Sequence, residues 1–267
     1  MENKFFERLN KSKQLVESFY EADSAVNIWH ANSFVWLTID GEQIQSLMDE
    51  RAPCTPVLPV PQTMLLWILW YNNTSPINVL NIGMGTGTIE RALSQFNNID
   101  ITAIETSATV IKAAQKHFYL PDSINIINDC GISFVNKRAK QLAGKQGLAK
   151  KYDIILADIF KHEKTPQDIC HSHFYQASKS LLRPNGLVMV NLYLTDDQQL
   201  LSLLNEVGST FSYKLLIDFQ YYRNIVLVLS NSPLPEKEAI QRLLKENSYW
   251  AKEMTHAEDI TDHLHYI

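Results

Sequence analysis

Cysteine is scarce: the 267-residue chain holds three, Cys54, Cys130 and Cys170, far apart and in no C-x-x-C pair. That spacing argues against a disulfide framework and against a zinc ribbon. Positive charge is not in excess either. Lys and Arg number 24 against 29 Asp and Glu, a formal net charge of −5, whereas proteins held by phosphate neutralisation carry a basic surplus. Long apolar runs are missing. The most apolar stretch, from Met64 to Tyr71, is about eight residues, less than half a membrane span. The segment MENKFFERLNKSKQ has no apolar h-region and no cleavage signature. Internal repeats and low-complexity tracts are absent. A soluble, cytoplasmic protein with no membrane and no nucleic-acid partner is the expectation.

What is present is an ordinary globular composition, 45% apolar and 20% charged. A chain of this length buries roughly three quarters of its unfolded surface and needs no metal to fold. Residues 3–22 place apolar groups at helical intervals, which predicts an amphipathic helix. AVNIWHANSFVWLTIDGEQIQSLMDE then alternates around Asp40-Gly41, a hairpin signal, and predicts a small antiparallel sheet over residues 25–49. Pro53, Pro56, Pro59 and Pro61 mark a linker that ends where a helix begins over Gln62–Tyr71. The expected division is an N-terminal helix and β-domain over residues 1–60 and a second domain over 61–267.

From Pro76 the texture changes. INVLNIG, DITAIE, INIIND, YDIILAD and GLVMVNLY are short, nearly continuous apolar runs, each followed by a stretch of helical spacing. Continuous apolarity suits strands covered on both faces, and the strand–helix repetition predicts an α/β fold with a parallel, doubly wound sheet. FSYKLLIDFQ and NIVLVLS predict a closing antiparallel hairpin, and a last helix is expected near 235–250.

The segment most informative about chemistry runs from Asn78 through Gly83, Gly85 and Gly87 to Glu90. A buried strand enters a glycine turn and then a helix, an arrangement that brings backbone N–H groups close to a ligand. Glu105 ends the next strand, where a carboxylate accepts ribose hydroxyls. Thr88 stands at the third position of the dinucleotide fingerprint, and no G-K-[ST] follows, so neither a dinucleotide nor a triphosphate loop is present.

The G-x-G-x-G form resembles motif I of class I S-adenosylmethionine-dependent transferases. Asn128-Asp129-Cys130 resembles that superfamily's adenine-binding station, and Tyr152 to Asp158 its fourth strand. Together TIDGEQIQS, YDIILAD and PNGLVMVNLY resemble the spermidine synthase family, the polyamine aminopropyltransferases, over roughly residues 25–230. The resemblance implies a Rossmann-like, seven-stranded, mostly parallel sheet preceded by a small N-terminal β-domain. It implies S-adenosylmethionine or its decarboxylated form as co-substrate, no metal, a small-molecule amine as acceptor, and a homodimer as a possible assembly. Carried over residue by residue, Gln45 contacts the nucleoside, and Gly83, Gly85 and Gly87 lie under the methionine-derived portion. Glu105 binds ribose, Asp129 binds adenine beside Cys130 as a pocket wall, and Asp158 serves the amine nucleophile.

Three departures from the family stand out. Thr86 replaces an aspartate in the glycine turn, Lys161 falls where a second carboxylate is usual, and Arg51-Ala52-Pro53-Cys54 replaces a tyrosine–histidine pair. A pocket-facing Lys161 would oppose a diamine by about 4 kcal/mol at 4 Å and an effective dielectric near 20, unless Glu163 substitutes for the lost carboxylate. Two alternatives therefore stay open: a methyltransferase, which Thr86 suits, and a non-catalytic binding or assembly homologue. A pocket filled by side chains would favour the latter. An open cleft lined by Gly85, Glu105 and Asp158 would count against it. Lys137, Arg138 and Lys140 read as a solvated helix face, and Asp158 has the competing reading of a helix cap.

Overall fold

In the computed structural model, which describes residues 2–21, 24–71, 76–144, 151–160, 164–220, 222–247 and 260–267, two sheets are joined by the proline-rich connector. The first follows helix α1 (Glu2–Ser12) and consists of β1 (Gln14–Glu21), β2 (Ser24–Ala31), β3 (Phe34–Ile39) and β4 (Ile44–Asp49). These strands pair antiparallel in the order β1-β2-β3-β4. The helix expected over residues 3–22 thus stops at Ser12, and its second half is a strand. Leu15, Val16, Phe19 and Tyr20 satisfy either period, and tertiary pairing decides between them. Phe19 sits opposite Val26 and enters a cluster with Val110 and Phe118 of the second sheet's layer. The hairpin expected at Asp40-Gly41 forms, with Asp40 at φ 52° and its carboxylate accepting from Ala25 N–H and Ser24 Oγ, both at 2.6 Å.

Helix α2 (Pro59–Met64) starts earlier than the expected Gln62, and a 3-10 turn (Leu66–Leu69) follows it. Prolines fit a first helical turn because their missing N–H has no intrahelical partner there. Next come β5 (Ile77–Ile82), α3 (Thr88–Leu93), β6 (Ile99–Glu105), α4 (Ala108–His117), β7 (Asn125–Asn128), α5 (Gly131–Gly144) and β8 (Tyr152–Ala157). The chain continues through α6 (Ser172–Leu181), β9 (Leu182–Tyr193), α7 (Asp197–Gly208), β10 (Tyr213–Ile217), β11 (Asn224–Ser230), α8 (Lys237–Glu246) and β12 (Leu264–Tyr266).

The fold is α/β, with a mostly parallel central sheet in the order β12-β10-β11-β9-β8-β5-β6-β7. Pairs from β9 across to β7 are parallel, and those joining β9, β11, β10 and β12 are antiparallel. Eight strands replace the expected seven among the described residues. The additional strand, β12, pairs Leu264 with Ile217 and Tyr266 with Leu215. Its three residues are too few to carry a periodicity, so only the exposed edge of β10 calls it into being. Strands β5 and β8 are buried at every position. Val79, Ile154 and Leu156 face one hydrophobic cluster and Leu80, Ile82 and Ile155 the other. Each such side chain stabilises the fold by about 1.5–3 kcal/mol. No helix among the described residues is long and apolar enough to cross a membrane.

Two features orient the sheet's ends. At the N-terminal end of β8, Asp153 accepts from Asn78 N–H and Arg183 Nη1 at 2.8 Å and from Tyr71 Oη at 2.9 Å. At the opposite end the chain leaves β5 toward β6 on one side while β8 lies on the other. Strand order therefore reverses there, and such reversals open a crevice at the carboxyl ends of the strands.

Candidate active site

Three strand ends are locked around the glycine turn. Asp158 N–H donates to the Ile82 carbonyl at 2.8 Å, and the N–H groups of Gly83 and Met84 donate to the Ile104 carbonyl at 2.9 and 3.1 Å. Gly83 has φ +89°, and a Cβ there would lie 2.0 Å from the Asp158 carbonyl oxygen. No other residue fits so close a crossing. Gly87, at φ +78°, precedes α3, and a Cβ on it would meet Leu120 at 2.4 Å. Gly85 turns its N–H outward to Glu105 Oε2 at 3.0 Å, while Ser107 N–H donates to Oε1 at 2.9 Å. Burial pushes the Glu105 carboxyl up against these bonds, which favour its charged form.

Over this platform lies a cavity of about 580 Å³, within the usual range for small-molecule sites. Gly83, Gly85, Glu105 and Asp158 line it from the parallel sheet, and Gln45 with Glu21 from the antiparallel one. The cleft is open and lined as the enzyme readings require, which counts against a filled, non-catalytic pocket. Its described lining holds three carboxylates, Glu21, Glu105 and Asp158, and no lysine, arginine or histidine. Ser107 ties two of the acids together, its hydroxyl donating to Glu21 while its N–H serves Glu105.

The structure does not bring every expected residue to the cavity. Gly87 supports the turn from behind Thr86 and Thr88. Asp129 and the exposed Cys130 lie outside the lining: the half-buried Asp129 accepts from Cys130 N–H at 2.8 Å and from Lys137 Nζ at 3.3 Å. Both partners hold its carboxyl below the usual range. Lys161 and Glu163 fall outside the described residues.

Thr86 is buried, and its hydroxyl is hydrogen-bonded to Ser46 of β4, which also lies 3.3 Å from Thr88 Oγ1. At the position where the resemblance implies an aspartate, this chain couples the glycine turn to the antiparallel sheet. Arg91 reinforces the join: its guanidinium donates to the carbonyls of Thr86 (2.6 Å), Pro53 (2.8 Å) and Phe118 (2.9 Å). Burial lowers its pKa to about 10.

Asp158 follows β8 directly. Its Oδ1 accepts from Asn191 Nδ2 at 2.8 Å. Burial raises its pKa to about 6, against the Asn191 bond and with help from the nearby Glu105 charge. Among the described residues Asp158 caps no helix: a 3-10 turn begins at Gln167 with Pro166 as its cap, and the next α-helix begins at Ser172 with His171 as its cap. Sequence reasoning missed Glu21, Asn191 and the aromatic wall of Phe160, Tyr193 and Tyr222. Asn191 and Tyr193 left one usable signal, polar residues at the carboxyl end of an apolar strand. Glu21 left none, since it sits in the segment expected to be helical.

A family model described as the spermine/spermidine synthase domain matches residues 61–246. The polyamine aminopropyltransferase of Vibrio vulnificus (strain CMCP6) is 27% identical over 176 residues, covering 64% of this chain and 56% of that protein. Against that relative, the matched segment spans little more than half its length. The polyamine aminopropyltransferase of Chromobacterium violaceum is 25% identical over 241 residues, 88% of this chain and 87% of that one. The crystal structure of a probable spermidine synthase from Corynebacterium glutamicum ATCC 13032 has the same fold, with a TM-score of 0.73 at 17% identity and 88% of each chain covered. With the model matching well over half of its residues, the chain belongs to the spermine/spermidine synthase family, a family of transferases.

Proposed function

We propose that this chain transfers an aminopropyl group from decarboxylated S-adenosylmethionine to a small amine. The observation that carries the reading is the cavity lined by Glu21, Glu105 and Asp158 with no cation among its described residues. Both substrates are cationic, one through a sulfonium and an ammonium, the other through its amines. Intact S-adenosylmethionine adds a carboxylate. At about 4 Å from one of these acids it would be opposed by about 4 kcal/mol at an effective dielectric near 20. That favours the decarboxylated co-substrate over the methyltransferase reading. Phe160, Tyr193 and Tyr222 line the same cavity, and aromatic rings attract such cations.

Glu105 and Gln45 hold the nucleoside, with the turn at Gly83 and Gly85 beneath it. Asp158, whose pKa near 6 lies close enough to neutrality for both accepting and releasing a proton, takes the proton of the acceptor ammonium and so frees its electron pair. The neutral nitrogen attacks the methylene next to the sulfonium, the carbon–sulfur bond breaks, and its electron pair leaves with sulfur as a neutral thioether. Asp129 and Cys130 have no part in this reading, as they do not reach the cavity.

Calorimetric titration with S-adenosylmethionine, its decarboxylated form and methylthioadenosine, in parallel, tests it. Binding of the decarboxylated compound at least 10-fold tighter than the intact one is expected. The reverse order would make the chain a methyltransferase, and binding of none of the three would overturn both enzyme readings.

A further inference from the structure

Asn191 stands near the end of β9 and is 4% exposed, a costly place for an amide without partners. It has two. Its Nδ2 donates to Asp158 Oδ1 at 2.8 Å, and its Oδ1 accepts from Asn224 Nδ2 at 3.0 Å. The three residues belong to β11, β9 and the exit of β8, which are adjacent in the sheet. The bonds therefore run sideways across one edge of three strands, at the carboxyl ends of β8 and β9 and the amino end of the antiparallel β11, along one wall of the cavity.

A side-chain amide has one donating and one accepting end. With the Asn224 amide nitrogen facing it, Asn191 turns its carbonyl to Asn224 and its nitrogen to Asp158. The opposite orientation would set nitrogen against nitrogen and carbonyl against carboxylate, forfeiting both bonds in a buried place. Asp158 Oδ1 is thereby committed, and Oδ2 accepts no side-chain bond among the described residues.

We propose that Asn191 and Asn224 are positioning residues, forming a polarised amide relay that fixes the orientation of Asp158 and holds it as a hydrogen-bond acceptor. The assignment of a role to Asp158 rests on the aminopropyl-transfer reading; the relay itself does not. Asparagine at both positions makes the polarity possible: leucine would break the relay, and an aspartate at 224 would reverse it. Glu21, Glu105, Tyr193 and Tyr222 are the other titratable groups lining this cavity among the described residues. The variants leave all four in place.

The test is a carboxyl 13C NMR titration of the ligand-free protein, with the Asp158 resonance assigned by its loss in Asp158→Asn. Asn191→Leu removes the donor, and the Asp158 midpoint should rise by about one pH unit, a tenfold change in its acidity. Asn224→Asp turns the Asn191 nitrogen away, and the midpoint should rise at least as far, since a negative charge is also added. Asn224→Leu frees the amide without adding charge and should give a smaller rise. Midpoints within 0.2 unit of the unaltered protein in Asn191→Leu and Asn224→Asp (about the resolution of such a titration) would overturn the relay, whatever happens to thermal stability. Should Asn191→Leu fail to fold, Asn224→Asp decides alone, because it is nearly isosteric and sits at a half-buried position. The readout needs no substrate. A shifted midpoint in a chain that binds none of the three nucleosides would keep the relay and overturn the aminopropyl reading; an unshifted midpoint in an active chain would do the opposite.

Discussion

Two aspartates five positions apart, one near the start of β8 and one directly after its end, have opposite surroundings. Asp153, at the amino end of β8, accepts from a backbone N–H, a tyrosine hydroxyl and the Arg183 guanidinium, and its side chain is 1% exposed. Asp158, at the carboxyl end, accepts one side-chain bond among the described residues, from a neutral amide, and borders the cavity. The first carboxylate is saturated and balanced by a cation, so its charge is cheap to keep. The second is desolvated with no cation beside it among the described residues, so its pKa climbs to about 6. Saturation distinguishes the carboxylate that braces the sheet, and the shortage of partners distinguishes the one that borders the cavity and is proposed to act there.

The sharpest way to break this contrast is to neutralise each acid in turn. Asp158→Asn is expected to lower kcat for aminopropyl transfer by about 10²–10⁴, the range for loss of a general base, while methylthioadenosine binding is kept. Unchanged turnover in a stopped assay would remove Asp158 from the reaction. Asp153→Ala should act the other way. It strands Arg183, Tyr71 and the Asn78 N–H, and should cost about 3 kcal/mol in urea unfolding, with nucleoside affinity retained by the folded fraction. A loss below about 1 kcal/mol would mean that the network does not brace the sheet.

A smaller effect follows from linkage. Because the folded-state pKa of Asp158 lies above its unfolded value, the native state binds more protons between about pH 4 and pH 6, so this group's contribution to stability falls as pH rises through that window. Asp158→Asn should therefore match the unaltered protein below pH 4 and exceed it by up to about 3 kcal/mol above pH 6. Equal denaturation midpoints across the window would show that Asp158 is better solvated than its surroundings indicate. Smallest of all, Glu21→Gln should weaken methylthioadenosine about 10-fold, the value of one hydrogen bond to a charged acceptor. An unchanged Kd would leave Glu105 as the acid that holds the nucleoside.

Much of this arrangement was legible in the chain. The apolar runs of β5, β6, β8 and β9, the glycine turn and the strand-end acids Glu105 and Asp158 all announce themselves locally. The second half of the expected N-terminal helix did not, because four apolar residues in eight fit either period until Val26 and the α4 layer settle the matter. Strand β12 was invisible for want of length. Asp129 shows what a motif leaves open: it gives the position in the chain, but an exposed lysine on the next helix, Lys137, helps decide where the carboxylate points.

The sequence by itself determined the α/β class, the place of the glycine turn and the two strand-end acids, since periodicity, backbone freedom and strand termini are local properties. Only the tertiary structure decided which groups share the cavity. Glu21 reaches Glu105 through Ser107, Thr86 bonds Ser46, and Asn224 reaches Asp158 through Asn191. Apart from the local bond between Ser107 N–H and Glu105, these contacts join residues 33 to 86 positions apart. Such contacts exist because the packing of two sheets and the order of strands place them side by side, a consequence of the whole core's burial rather than of any segment's own preference.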